Sequence, residues 1–450
     1  MSNGHGQAGI TLRRVVEIQL DDPDTENPGD EVKGLNSENA YPPSIQAGIP
    51  RLATTPAGWS RFLLGDLLIR VERPAKLLDA EKYQLVTAKR NRGGIIAREV
   101  LPGNQILTKT QFYVESGDFL VSNRQISHGA CGVVPPALSG SIVSNEYTVL
   151  HTTKLLDPDF LQAMAHSVYF QQTCFHSSIG VTVEKLVFRL DEWMKREFDI
   201  PGHEEQRRIA SLLAQWDQAI QQTERLIAAQ HIRRKAISRL LFQQPSSMQT
   251  RKARGKLIEI GQMANCFSGG TPDRRERTFF GGGIPWVKSG EIVSAHIAAT
   301  EETLSEKGLA SSAAKWVPAG STLIAMYGAN AGQVGRLDID ATTNQAILAI
   351  VPNKSLIAAD YMYHAVVSVI PSLMRKLQGS GQPNLSAGIV KAERIWVPNI
   401  EDQAIIAKIA TVLEEAESNL HAQLIKLRVQ KRGLIQKLLS GEWRLPGTPK

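Results

Sequence analysis

Several loops of this 450-residue chain gather side chains suited to a planar heterocycle or an anion. "TAKRNRGG" (87–94) sets Lys89, Arg90, Asn91 and Arg92 on a turn after a strand-like run, and "SNRQISHG" (122–129) adds Asn123, Arg124, Gln125 and His128. Farther along, "SGGTPDRRER" offers Thr271, Arg274, Arg275 and Arg277, and "IPWVKSG" offers Lys288. "YGANAGQVGR" offers Asn330, Gln333 and Arg336, and "GSGQPN" offers Gln382 and Asn384. Arginine, asparagine and glutamine pair bidentately with guanine and adenine edges, while lysine and the N–H groups of Gly-rich turns hold phosphates. Any one loop taken singly is better explained as a solvated turn. As a set, in two matched regions, they are expected to form a surface for DNA.

Catalytic signatures fail where they begin. "FFGGG" (279–283) spells F-x-G-x-G, the shape of a cofactor loop in adenine methyltransferases. That chemistry also needs an Asp/Asn-Pro-Pro-aromatic motif to hold and stack an extruded adenine. The only Pro-Pro pairs lie in "YPPS" and "VPPA", without the acidic or amide residue before them or the aromatic after. A Gly-rich turn entering the strand "IPWVKSG" is the expected structure. "HEEQR" (203–207) begins like a zinc motif but puts Arg207 where the second histidine belongs. "RGKL" lacks the rest of a P-loop, "GSGQPN" lacks the third glycine of a dinucleotide loop, and no G-x-S-x-G occurs. The ten histidines are scattered, and none pairs with cysteine at ligand spacing.

The charge agrees with a binding role. The net charge is +7, but residues 1–50 hold three Lys/Arg against eight Asp/Glu. Residues 51–450 therefore hold 48 against 36, an excess of +12. Such an excess favours a polyanion. Cys131, Cys174 and Cys266 are far apart and odd in number, fitting buried thiols in a reducing cytosol rather than disulfides. No signal-peptide pattern or membrane-length apolar run is present, so a cytoplasmic protein without membrane contact is expected.

The elements that must hold these loops occur twice. "IPGHEEQRRIASLL" (200–213) parallels "VPNIEDQAIIAKIA" (397–410) at an offset of 197, matching Pro201 with Pro398 and Gln206 with Gln403. Each copy runs on for about forty residues without proline and ends in a basic, leucine-rich turn. Ile209, Leu213, Trp216 and Ile220 step along the first by four and three; Ile406, Ile409, Leu413, Ala416 and Leu420, then Leu427, mark the second. Alternating three-four spacing makes an apolar seam, and a helix of forty residues, ~60 Å long, needs a partner. Two antiparallel coiled-coil helices are expected. Upstream of each, "GDFLVSN" and "STLIAMYG" are strand-like, whereas 158–172 and 358–377 are helix-like. The expected fold is α+β with a pseudo-twofold internal repeat. The expected divisions are a disordered acidic extension (1–50), a first recognition domain (51–200), a central helical region (201–244), a linker (245–256), a second recognition domain (257–397), a C-terminal helical region (398–443) and a tail (444–450).

"SGGTPDRRERTFFGGGIPWVKSGEI" (268–292), "YGANAGQVG", "GSGQPNLS", "VPNIEDQAIIAKIATVLEEAE" (397–417) and "KRGLIQKLLSGEWRL" (431–445) resemble the DNA-specificity subunit of type I restriction–modification systems. The resemblance spans about 51–445 and is looser in the first recognition domain. It implies two target recognition domains, each reading half of a bipartite, asymmetric site in double-stranded DNA, with the helices as a ruler. It also implies that the helices dock two methyltransferase subunits for N6-adenine methylation, and that two ATP-dependent restriction subunits can join. This chain would be non-catalytic and hold no metal or cofactor; S-adenosylmethionine, ATP and Mg would belong to the partners. A methyltransferase acting in cis would need the missing Pro-Pro motif. A coiled-coil scaffold would not need two matched units with Arg/Asn/Gln-rich loops.

Overall fold

Each half of the chain closes on itself with a pair of antiparallel strands. Ser60–Leu63 pairs with Glu197–Ile200, and Gly255–Glu259 pairs with Arg394–Pro398. A long helix follows each closing strand. In this computed structural model, residues 51–180, 186–243, 255–292, 295–377 and 384–446 are described. The acidic extension and most of the linker lie outside them. The described chain divides into two compact units, one ending at Leu213 and including Arg432 onward, the other spanning Ala214–Lys431. Each long helix thus contributes to both.

Within the first unit, Leu68–Arg70, Tyr147–Thr152, Phe119–Ser122 and Cys131–Val133 form one sheet in that order. A second sheet runs Pro74–Ala75, Gln111–Tyr113, Ile142–Ser144, Lys82–Ala88, Ile95–Pro102. The other unit repeats the plan. Ala264–Ser268, Ile347–Pro352, Thr322–Ala325, Val334–Leu337 and His296–Ile297 form one sheet; Glu302–Leu304, Phe280–Val287, Ala341–Thr343 and Trp316–Val317 form the next. Even the parallel pairing recurs: Leu85 opposite Ile142 answers Trp286 opposite Thr342. Buried strands such as Thr322–Ala325 and Phe119–Ser122 have both faces covered, which explains their unbroken apolar runs.

The helices His203–Phe242 and Ile400–Leu439 are each forty residues long and start 197 residues apart. Within the second unit they run antiparallel, since partners fall on one as they rise on the other: Asp217 with Lys431, Glu224 with Arg428, His231 with Glu417, Arg234 with Glu414. Surface ion pairs of this kind add little stability, but they record the register. Near each helix start a buried glutamine fastens the preceding domain. Gln206 accepts from the Asp157 N–H and donates to the Leu155 and Pro201 carbonyls. Gln403 does the same with Ala358, Leu356 and Pro398.

Two details differ from the sequence reading. The glycines of "FFGGG" lie inside the strand Phe280–Val287 rather than in a turn before it. Phe280 and Ile284 both face Leu304, so the intervening residues bulge out, with Gly281 and Gly283 at φ +79° and +87°. A Cβ on Gly282 would meet the Ser305 Cα at 2.2 Å. The 158–172 stretch is two helices, Pro158–Met164 and Val168–His176, because Ser167 caps the second by accepting from the Phe170 N–H. Arg444, in the tail, is anchored to the first unit. Its guanidinium makes two bonds to the Glu205 carboxylate, at 2.9 and 3.0 Å, and one to the Ala57 carbonyl. Trp59 Nε1 donates to the same Glu205.

Candidate nucleic-acid interface

The two loops nominated in the first unit are docked on each other by their backbones. Asn91 and Arg92 donate N–H groups to the His128 and Gly129 carbonyls at 2.7 and 3.1 Å. The turn Arg90–Gly93 joins two adjacent strands and closes with a bond from the Gly93 N–H to the Arg90 carbonyl. Its central residues Asn91 and Arg92 are left-handed, at φ +56° and +59°. That is the hairpin turn whose twist suits the strands, and arginine is a costly occupant of it. A Cβ on Gly129 would meet Arg92 Cγ and N at 3.1 Å, so the glycine lets the loops touch.

Lys89 and Arg90 extend from this pair exposed, with no side-chain ion partner among the described residues. Arg92 is half-buried, and burial together with the positive charge of Arg432 lowers its pKa. Asn123 is engaged inside the fold, accepting from Thr148 Oγ1 at 2.7 Å. Arg124 pairs with Glu146 at 2.6 Å on the surface. Gln125 keeps its side-chain carbonyl oxygen buried without a hydrogen-bond partner. His128 is half-buried beside it.

The candidates of the second unit divide more sharply. Arg274 lies over the Phe280 and Trp286 rings, 4.8 and 4.9 Å from their centroids, and pairs with Glu302 at 2.6 Å. Lys288 bonds Glu301 and Glu302 at 2.8 and 3.0 Å, which raises its pKa. The two bases together lower the pKa of Glu302, through the Arg274 bond first and the Lys288 bond second. Arg336 is held by Asp338 and Asp360. These three bases are therefore engaged by the domain's own acids. Thr271 donates its hydroxyl to Gln345, and Asn330 donates to the Ser289 carbonyl at 3.2 Å. Arg275 is 90% exposed at its side chain and pairs only with its neighbour Asp273. Arg277, Gln333 and Asn384 are exposed and have no side-chain partner among the described residues. Gln382 lies outside the described residues. The sequence reading did not single out Glu302, Gln345 or Tyr327; the last stands inside the "YGANAGQVG" motif it had quoted.

Along the helices, Ile209, Leu213 and Trp216 are buried, and so is Leu413. Ile220, Ile406, Leu420 and Leu427 are half-buried, whereas Leu424, not nominated, is buried. Leu413 and Leu424 are eleven residues apart. That is about three turns of an α-helix of 3.6 residues per turn, so the buried line drifts off a strict seven-residue repeat. Ile409, expected in the seam, is instead 41% exposed and lies in a separate stripe with Ile405 and Val412, which are 59% and 55% exposed.

All three cysteines are buried, which pushes the Cys131 thiol up to about 12 and Cys266 to about 11. Among the described residues no cluster of His, Cys, Asp or Glu could hold a metal ion, and no helix is long and apolar enough to cross a membrane.

Comparison with known proteins agrees with this architecture. Residues 256–427 match the model of the type I restriction modification DNA specificity domain. That stretch takes in the second set of loops and most of the second long helix. The chain is 26% identical over 156 residues to the EcoR124I/EcoR124II specificity subunit of Escherichia coli, covering 33% of this chain and 38% of that protein. It is 26% identical over 188 residues to the MjaIX specificity subunit of Methanocaldococcus jannaschii, covering 41% of this chain and 40% of that one. Each match thus spans under half of the relative. At the level of fold the likeness is wider. A chain from a type I R-M system complex superimposes with a TM-score of 0.58 at 18% identity, covering 87% of this chain and all of that one. The S subunit from M. genitalium does so at 0.54 and 15%, covering 88% and 98%. The second half of the chain thus matches a type I restriction modification DNA specificity domain, and most of its length shares the fold of these solved chains.

Proposed function

We propose that this chain reads a bipartite, asymmetric sequence in double-stranded DNA and presents it to partner subunits that do the chemistry. The observation that carries this reading is the duplication. Two domains share a core strand order and a glutamine staple, yet carry different loop side chains: Lys89, Arg90 and Gln125 in one, Arg277, Gln333 and Asn384 in the other. Equal frames with unequal loops suit a site whose halves differ. The excess of +12 over residues 51–450 supplies attraction for the phosphates.

In this reading the helices dock two methyltransferase subunits in the cytoplasm, and two restriction subunits can join. S-adenosylmethionine, ATP and Mg bind to those partners. The exposed Ile405, Ile409 and Val412 supply a contact of the right chemistry, since apolar stripes left on a helix mark partner sites. Leu413, by contrast, is occupied within the fold. The test is to express this chain in a methylation-free bacterium, alone and with a cognate methyltransferase subunit, and to map modified bases. Methyladenine in a split motif only when both are present is the expected outcome. Methylation by this chain alone would overturn the non-catalytic role.

A further inference from the structure

The exposed aromatic Tyr327 stands at the start of a rigid loop in the second unit, with its side chain 44% exposed. The loop, Tyr327–Gln333, is anchored at every step. Ala325 donates to the Gln333 carbonyl at 2.9 Å, Gly332 to the Ala325 carbonyl at 2.9 Å, and Met326 to the Ala346 carbonyl at 2.8 Å. Asn330 reaches the Ser289 carbonyl, and the Leu385 N–H bonds the Met326 carbonyl at 3.0 Å. That last bond joins the chain neighbours of Asn384 and Tyr327. Gly328 and Gly332 are both at positive φ, and a Cβ on Gly332 would press on Met374 Cγ at 3.0 Å. A Cβ on Gly328 would meet nothing within 4 Å.

The chemistry of this patch differs from that of the first unit. Tyr327, Gln333 and Asn384 are exposed and neutral, whereas the loop after the corresponding strand of the first unit carries the exposed Arg124, and the hairpin docked against that loop carries the exposed Lys89 and Arg90. Phosphates attract cations; base edges are read by amides, and the thymine methyl by apolar carbon. We propose that Tyr327 is a specificity-determining residue, its ring packing on the 5-methyl of a thymine in the half-site read by the second unit, with Gln333 and Asn384 available to the neighbouring base edge. This rests on the DNA-reading function proposed above. An aromatic ring held on a stiff backbone loses little freedom on contact, so the methyl contact appears as affinity.

The experiment uses the complex of this chain with its methyltransferase subunit and duplexes bearing the mapped site. Thymines of that half-site are replaced one at a time by deoxyuridine, which lacks only the methyl. Burying one methyl corresponds to about fourfold in affinity. The expected result is that the wild-type complex loses about fourfold at one thymine. Tyr327→Ala loses a similar factor on the unmodified duplex and no more on the substituted one, and Tyr327→Phe behaves as wild type. If Tyr327→Ala keeps wild-type affinity, or stays as sensitive to every deoxyuridine, the proposal is wrong while the DNA-reading function stands. If the wild-type complex methylates no split site, both fall together.

Discussion

Arg274 shows how a side chain suited to guanine can instead be committed to the fold. Sandwiched against Phe280 and Trp286 and bound to Glu302, it braces a strand. Arg274→Ala is therefore expected to destabilise the protein by about 1 kcal/mol, seen as a lower urea midpoint. Arg275→Ala, whose guanidinium reaches only Asp273, should leave that midpoint unchanged. Equal midpoints for the two variants would contradict the bracing role. His364 sets a pH dependence. It is buried, accepts or donates at Thr411 Oγ1 at 2.8 Å, and lies against the Phe242 ring. Burial, then the positive Arg336, Arg234 and His296, lower its pKa to about 4. The unfolded chain binds the proton more tightly, so stability falls as pH drops from about 6.5 toward 4, by at most ~1.4 kcal/mol per unit. In His364→Gln this slope should flatten when unfolding is followed across that range. Residue type was readable from sequence, but partnership was not. Nothing in "DRRER" says that the first arginine meets Glu302 and the second only its neighbour.

The long helices were the most legible elements, because forty residues without proline and a three-four stripe leave few alternatives. Their burial was less so. Leu424 replaces Leu420 as the next buried position after Leu413, since the pattern drifts off seven. Leu424→Asp and Leu413→Asp should each lose ~2 kcal/mol from burial alone, with a carboxylate desolvation cost added. Leu420→Asp should be milder by thermal denaturation, and the reverse order would misplace the buried line. The staple was visible only as a matched letter. Gln206 and Gln403 aligned at the offset of 197, with no hint that each satisfies three backbone groups. Gln403→Ala leaves those groups short of partners and should destabilise by roughly 3 kcal/mol, with His364 and Tyr361 nearby as reporters by NMR. The strand bulge at Gly281–Gly283 escaped because a glycine run signals a turn and a bulge alike.

For the whole molecule, the prediction concerns salt. If Lys89 and Arg90 hold phosphates, Lys89→Ala and Arg90→Ala should weaken binding to every DNA sequence alike. Each should reduce the slope of log affinity against log salt by about one, without altering the methylated motif. A changed motif would instead make them base readers. The duplication was legible from the offset alone, but the division of each long helix between two units was not, because it depends on contacts distant in sequence. The closing strand pairs have a consequence of another kind. Ser60 lies opposite Ile200, and Gly255 opposite Pro398, so each domain is entered and left at one doorway. Whatever lies between the two sides of that doorway is a self-contained insert, held by two strands and the glutamine latch beyond them. Under the function proposed above, replacing one insert would change half of the target and leave the helices as they were.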